Sequence, residues 1–201
     1  MRNVIVSNIM SIDGYFEGPG RNVMALPMDG FFDEQNLERV RAADTVLYGA
    51  TTYRLMLGYW PRVAADPALA DLHREIALRL QDTPKIVVSD SMAASDTGPW
   101  ATTTTIVRRA EAPRAIAALK EQPGRDILIF GSHILWNDLA AAGLVDELHL
   151  MIGAGALGGG TPIFAGALPA MRLLDVRRRD GSDNVLARYR MTASTRSERA
   201  A

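Results

Sequence analysis

Residues 127–164 read ILIFGSHILWNDLAAAGLVDELHLMIGAGALGGGTPIF, and the order of elements in this block decides the fold. ILIF (127–130) is a short apolar run of the kind that forms a strand covered on both faces. Gly131 ends it, Ser132 suits a helix start, and HILWNDLAAA carries apolar side chains at helical spacing as far as Gly143. VDELHLMIG is then a second strand, followed by the glycine loop GAGALGGG (153–160) and TPIF. Strand, helix and strand in quick succession predict a parallel pair joined by a helical crossover.

The same alternation continues toward the N-terminus. NVIVSNIM (3–10) reads as a buried strand feeding the loop SIDGYFEGPGRN, whose length and whose Gly14, Gly18, Pro19 and Gly20 predict a bent lid. A helix over 31–43, a strand TVLYG (45–49) and a helix opening at TTYRLM follow. Leu69, Leu72, Ile76 and Leu80 predict a further helix over 67–80, and a strand starts at Lys85. Then come a β-branched strand over 102–108, a helix over 110–121 and a strand over 125–131. Near the C-terminus, LLDVRRRDG and NVLARYRMT are two strands separated by GSDN (181–184), which is good turn chemistry. The expectation is an α/β, three-layer fold: a mostly parallel central sheet, helices on both faces and an antiparallel C-terminal strand pair. Residues 1–193 form one domain and 194–201 a disordered tail.

Composition narrows the function. With 201 residues, 48% hydrophobic and 22% charged, the chain suits a single globular domain. A net charge of -1 gives no basic surface for nucleic acid and no one-signed face for a membrane. Zero cysteines and three scattered histidines, His73, His133 and His149, predict no metal site. The N-terminal run is too short and too polar for a signal peptide or membrane span, so a cytoplasmic location is expected.

Three places set a glycine or hydroxyl residue where a strand meets a helix: Gly49–Thr52, Ser89–Ser91 and Gly131–Ser132. Helix starts at the carboxyl ends of parallel strands suit phosphate groups. Thr51 and Ser132 equally suit ordinary helix caps. The glycine cluster 153–160 is not a dinucleotide fingerprint, because the TPIFAGALP after it is rich in helix breakers, and it reads instead as a pocket wall. Asp146 and Glu147, neighbours on a strand, point to opposite faces and read as structural. His73 reads as an exposed helix residue and His149 as a strand-face residue. Asp13, beside Gly14 in the first loop, suits either an Asx turn or contact with substrate or ribose. Tyr59 and Trp60 suit stacking on a flat ring, or a core.

SIDGY (11–15), YGATTYRLM (48–56), YWP (59–61), KIVVSDSM (85–92) and the block 131–164 together resemble the dihydrofolate-reductase-like proteins related to the riboflavin-biosynthesis reductase domain, the RibD C-terminal domain. The resemblance implies an NADPH-dependent hydride transfer, with NADH not excluded, to a small heterocyclic (pterin-like or pyrimidine-like) or carbonyl substrate, and it implies a homodimer. By motif, Gly49, Thr51 and Thr52 would meet the diphosphate and Ser89 the adenosine phosphate. Gly131, Ser132, Ile134 and Leu135 would line the diphosphate and nicotinamide. Asp13 is the candidate catalytic carboxylate, and Tyr53, Trp60 and Phe164 are expected to line the substrate pocket. Two departures stand out. Ala50 occupies a position where relatives often carry Arg or Lys, leaving Arg54 or Arg108 to compensate for a 2′-phosphate. Phe31–Glu34 lack a clear counterpart of the folate-protonating acid, with Asp33 the nearest candidate. The competing reading is a non-catalytic nucleotide-binding or oligomerisation module that retains the fold.

Overall fold

The structure is a computed structural model that describes residues 1–66 and 68–192. Its elements are β1 (Val4–Ser11), β2 (Tyr15–Glu17), α1 (Gly30–Ala42), β3 (Ala43–Gly49), α2 (Ala50–Ala65), α3 (Asp71–Asp82), β4 (Lys85–Val88), β5 (Thr104–Val107), α4 (Ala112–Glu121), β6 (Asp126–Phe130), α5 (His133–Ala141), β7 (Glu147–Gly153), β8 (Thr161–Pro162), β9 (Ala170–Arg177) and β10 (Val185–Thr192). Eight strands form one sheet in the order β5-β4-β3-β6-β1-β7-β10-β9. The pairings from β5 through to β7 are parallel, and β10 pairs antiparallel with both β7 and β9.

Topology decides which face each helix covers. The connections from β1 to β3 and from β3 to β4 move one way along the sheet, whereas those from β5 to β6 and from β6 to β7 move back. Right-handed crossovers therefore put the two groups of helices on opposite faces. The core divides accordingly. Leu37 and Val40 of α1, Tyr53 of α2 and Ile76 and Leu80 of α3 pack with Val46, Tyr48, Leu128 and Phe130. Ile116 of α4 and Leu135, Trp136 and Leu139 of α5 pack with Val4, Val6, Ile127 and Ile129 on the other side. The alternation of β6 side chains between these clusters explains why ILIF is uniformly apolar.

Three boundaries differ from the sequence expectation. The helix expected from Pro67 begins at Asp71; the expected start itself, like the expected tail 194–201, lies outside the described residues. The strand expected over 102–108 is only Thr104–Val107, because residues 94–103 form a 3-10 stretch that buries Trp100 against the Lys85 ammonium, 4.6 Å from the ring. The first loop is not a free lid. Tyr15–Glu17 pairs with Thr161–Pro162 in a two-stranded flap, so the lid and the glycine loop make one unit.

Candidate active site

The strand order reverses direction between β3 and β6, and in an open α/β sheet the crevice outside the carboxyl ends at such a point is where ligands bind. Here α2 leaves β3 toward one face and α5 leaves β6 toward the other. Neither helix start carries a side-chain cap, so the first-turn N–H groups of both face outward from the crevice rim without a side-chain partner.

The two turns interlock. The Gly49 N–H donates to Ser132 Oγ at 3.0 Å, and the Ser132 N–H donates to Thr52 Oγ1 at 2.9 Å. Ser132, expected as an ordinary cap, is instead a buried residue in the left-handed region at φ 52° and ψ 45°, a conformation uncommon for a residue with a Cβ. Gly131 before it has φ +52°, and a Cβ there would come within 3.2 Å of Thr52 Cγ2. Two consecutive positive-φ residues turn β6 sharply into α5 and bring the Gly131 backbone against Thr52 at the start of α2. Asn8, a polar residue in the apolar β1 run, fastens this turn: its Nδ2 donates to the Gly131 carbonyl at 3.1 Å. Sequence reasoning missed this role, although a lone buried amide in a strand needs a partner.

The other expected site residues fall into place unevenly. Thr51 is exposed on the first turn of α2, and Leu55 and Tyr59 continue the same face at i, i+4 spacing, 51% and 50% exposed. Ile134 projects from the first turn of α5 at 60% exposure, whereas Leu135 points into the core. The Ser89 hydroxyl accepts the N–H groups of Ser91 and Met92 and so caps the turn after β4. Tyr53 does not line a pocket. It is fully buried, its hydroxyl donating to the Thr97 carbonyl with Thr104 Oγ1 3.0 Å away, because its place on α2 faces the sheet. Trp60 is partly buried on α2, edge-on to Tyr59, and its indole N–H meets Met56 Sδ. Phe164 is 42% exposed and lies edge-on to Trp136.

Asp13 has a structural job. Its carboxylate accepts the N–H groups of Leu157 and Gly158, the latter at 2.8 Å, stapling the first loop to the glycine loop. The Ser11 hydroxyl and those two amides hold its carboxyl down at about 2, so it is ionised at neutral pH and poorly suited to donating a proton. The flap it secures stacks Phe16 on His133 at 5.5 Å, reaching the start of α5. Asn137 anchors the far end, donating to the Ile163 carbonyl and accepting the Ala165 N–H. Gly153–Phe164 is thus bound to the site's rim at both ends.

Asp146, Glu147, Asp33, His73 and His149 all have partners within the fold. Asp146 accepts the Val4 N–H and pairs with Lys120. Glu147, on the opposite face, meets His149 and Arg188. His149 is buried, and burial, reinforced by Arg39 and Arg188, lowers its pKa to about 4. Asp33 is hydrogen-bonded to His73 of α3 at 2.8 Å, which makes His73 a half-buried partner rather than a free surface residue. Among the described residues no cluster of three or more His, Asp or Glu side chains converges as a metal site, and no helix is long and apolar enough to cross a membrane.

Comparison with known proteins agrees with this architecture. The protein YyaP of Bacillus subtilis (strain 168) is 29% identical over 188 residues, covering 92% of each chain. A pyrimidine reductase-like protein from Corynebacterium diphtheriae superposes with a TM-score of 0.63 at 15% identity, over 96% of this chain and 92% of that one. Dihydrofolate reductase from Enterococcus faecalis, complexed with NADP(H), gives a TM-score of 0.58 at 12% identity, over 95% and 97% of the two chains. Identities this low speak for the fold, a dihydrofolate-reductase-like one. The sequence pattern of the RibD C-terminal domain matches residues 2–186, nearly the whole chain, and the protein belongs to that family.

Proposed function

We propose that the protein is an NAD(P)H-dependent reductase that transfers hydride to a small heterocyclic, pterin-like or pyrimidine-like, or carbonyl substrate. The observation that carries this reading is the interlocked pair Gly49–Thr52 and Gly131–Ser132 at the sheet's switch point. A dinucleotide diphosphate fits there for two reasons. Two helix starts without side-chain caps present N–H groups and positive dipole ends to one crevice. The missing Cβ of Gly131 lets Thr52 pack directly against the β6–α5 turn, which keeps the two helix starts close enough to serve one diphosphate.

The cofactor, when bound, supplies the hydride. The chain's part is orientation and exclusion of water. Ile134, exposed on the first turn of α5, would meet the nicotinamide ring, while Leu55 and Tyr59 would offer an apolar wall for a flat substrate. The flap, drawn onto His133 by Phe16, covers this side. With Asp13 holding the flap and Asp33 held by His73, neither carboxylate is free to serve as a direct proton donor, and proton delivery through water is the reading that fits. The test is turnover. Reduced cofactor should be consumed with at least one member of a panel of pterins, ribosylamino-pyrimidines and quinoid carbonyls. Tight cofactor binding with no turnover of any would favour the binding-module reading.

A homodimer is part of the same proposal. Its support is β9, an edge strand of eight residues that leaves Leu173, Leu174 and Val176 between 37% and 54% exposed.

A further inference from the structure

We infer that the two arms of the flap, residues 14–18 and 158–162, move as one rigid body that Phe16 latches onto His133, and that release of this latch sets how fast the cofactor leaves. The second half rests on the reductase reading; the first does not. The arms are tied along their length. The Ile12 N–H donates to the Gly155 carbonyl at 3.0 Å, the Asp13 carboxylate accepts from Leu157 and Gly158, and the Ile163 N–H donates to the Gly14 carbonyl at 2.9 Å. Between these bonds β2 pairs with β8, and Thr161 Oγ1 donates to Glu17 Oε1 at 2.7 Å. Gly160, at φ +132°, packs so closely that a Cβ on it would overlap the Glu17 carbonyl oxygen. An arm that lifted alone would lose these bonds, whereas a flap that lifts whole keeps them.

The flap has apolar roots and a single aromatic latch. Ile163 is 1% exposed in the core beside α5, and the Asn137 side chain holds both the Ile163 carbonyl and the Ala165 N–H. Leu157 packs against the cluster of Ile9, Leu26 and Phe31. Between these roots the flap meets the start of α5 through the stack of Phe16 on His133, the rings inclined by 22° with centroids 5.5 Å apart. Tyr15 and Glu17, the strand neighbours of Phe16, face the other way.

The latch is evenly balanced. The stack gains what an aromatic contact gains, yet the latched arrangement leaves His133 Nε2 buried with no hydrogen-bond partner among the described residues, which costs a similar amount. Latched and unlatched flaps therefore lie close in free energy, as a lid that opens in every turnover requires. His133 is the first residue of α5, and Ile134, proposed to meet the nicotinamide, is the next. A cofactor lying along this helix start is covered by the flap and leaves when Phe16 lifts.

Two measurements test the two halves. Amide hydrogen exchange on the full chain without cofactor tests the rigid flap. In Phe16→Ala the amides of residues 14–17 and 157–161 should exchange about tenfold faster than in the wild type, both arms together. In His133→Phe, which keeps an aromatic stack and removes the buried nitrogen, both arms should exchange more slowly. Unchanged exchange in Phe16→Ala, acceleration confined to one arm, or faster exchange in His133→Phe overturns the rigid flap. Stopped-flow displacement of bound NADH or NADPH tests the latch: release should be about tenfold faster from Phe16→Ala and slower from His133→Phe. Equal release rates from the wild type and Phe16→Ala overturn the latch while leaving the reductase reading in place. A wild type that binds neither cofactor removes that reading and the latch's role with it, and hydrogen exchange then decides the rigid flap alone.

Discussion

Gly131→Ala is the perturbation that the site geometry specifies most fully. The residue has φ +52°, where an alanine costs roughly 1–2 kcal/mol through its Cβ alone. The new Cβ would also sit 3.2 Å from Thr52 Cγ2 and 3.3 Å from Thr52 Oγ1, tighter than ordinary contact, adding about 1 kcal/mol unless Thr52 moves. Moving Thr52 strains its bond from the Ser132 N–H. The expected loss is about 2–3 kcal/mol, or roughly 4–12 °C in Tm for a chain of this length. Thr52→Ala should cost about 0.5–1.5 kcal/mol by leaving the Ser132 N–H without its acceptor. Because Thr52→Ala also removes the obstructing atoms, the double variant should fall short of the additive loss by about 0.5–1 kcal/mol. Urea unfolding of the four proteins with matched slopes measures this coupling. A Gly131→Ala protein as stable as the wild type, or strict additivity, would refute the interlocked-turn geometry.

Further outcomes concern the groups around the site. Between about pH 6.5, where an unfolded histidine titrates, and about 4, where buried His149 does, the unfolded chain binds the extra proton. The His149 contribution is therefore full above that window and lost as pH falls through it, by about 3 kcal/mol in all, and His149→Gln should flatten the slope of stability against pH. Asp13→Asn should raise hydrogen exchange at Leu157 and Gly158 and slow turnover without moving its pH profile; a shifted acid limb would restore Asp13 as a proton donor. Tyr53→Phe should cost about 1–2 kcal/mol of stability through its lost bonds in the core, with cofactor affinity unchanged; a weakened affinity would return Tyr53 to the pocket. Light scattering should give twice the chain mass for the wild type and a smaller species for Val176→Arg; a wild-type monomer would remove the homodimer from the account.

How far the sequence disclosed this molecule depends on the range of the interactions involved. Periodicity identified the parallel strands and their crossover helices because burial on both faces leaves an unbroken apolar run, as in ILIF, and one-face burial leaves a helical repeat. It also separated Asp146 from Glu147, since strand neighbours face opposite ways. Boundaries failed where a distant group decided them: Thr102 and Thr103 are β-branched, yet the burial of Trp100 beside Lys85 keeps them out of the strand. At the site, residue types at strand ends were legible but their partners were not. Nothing local to Ser132 announces that its hydroxyl serves Gly49, 83 residues away, or that Asn8 holds the Gly131 carbonyl. Tyr53 looked like a pocket residue because aromatic side chains near a ligand turn are ambiguous until the inward face of the helix is known.

The central claim is that a reduced nicotinamide dinucleotide lies across the two helix starts at Gly49–Thr52 and Gly131–Ser132. Titrating NADH and NADPH into the wild type and Ser132→Glu, while following nicotinamide fluorescence and confirming the fold by circular dichroism, tests it directly. The account predicts saturable binding by the wild type and a loss of about tenfold or more in Ser132→Glu, whose carboxylate opposes the diphosphate. No wild-type binding of either cofactor at millimolar concentration, or equal dissociation constants for the two proteins, would contradict it.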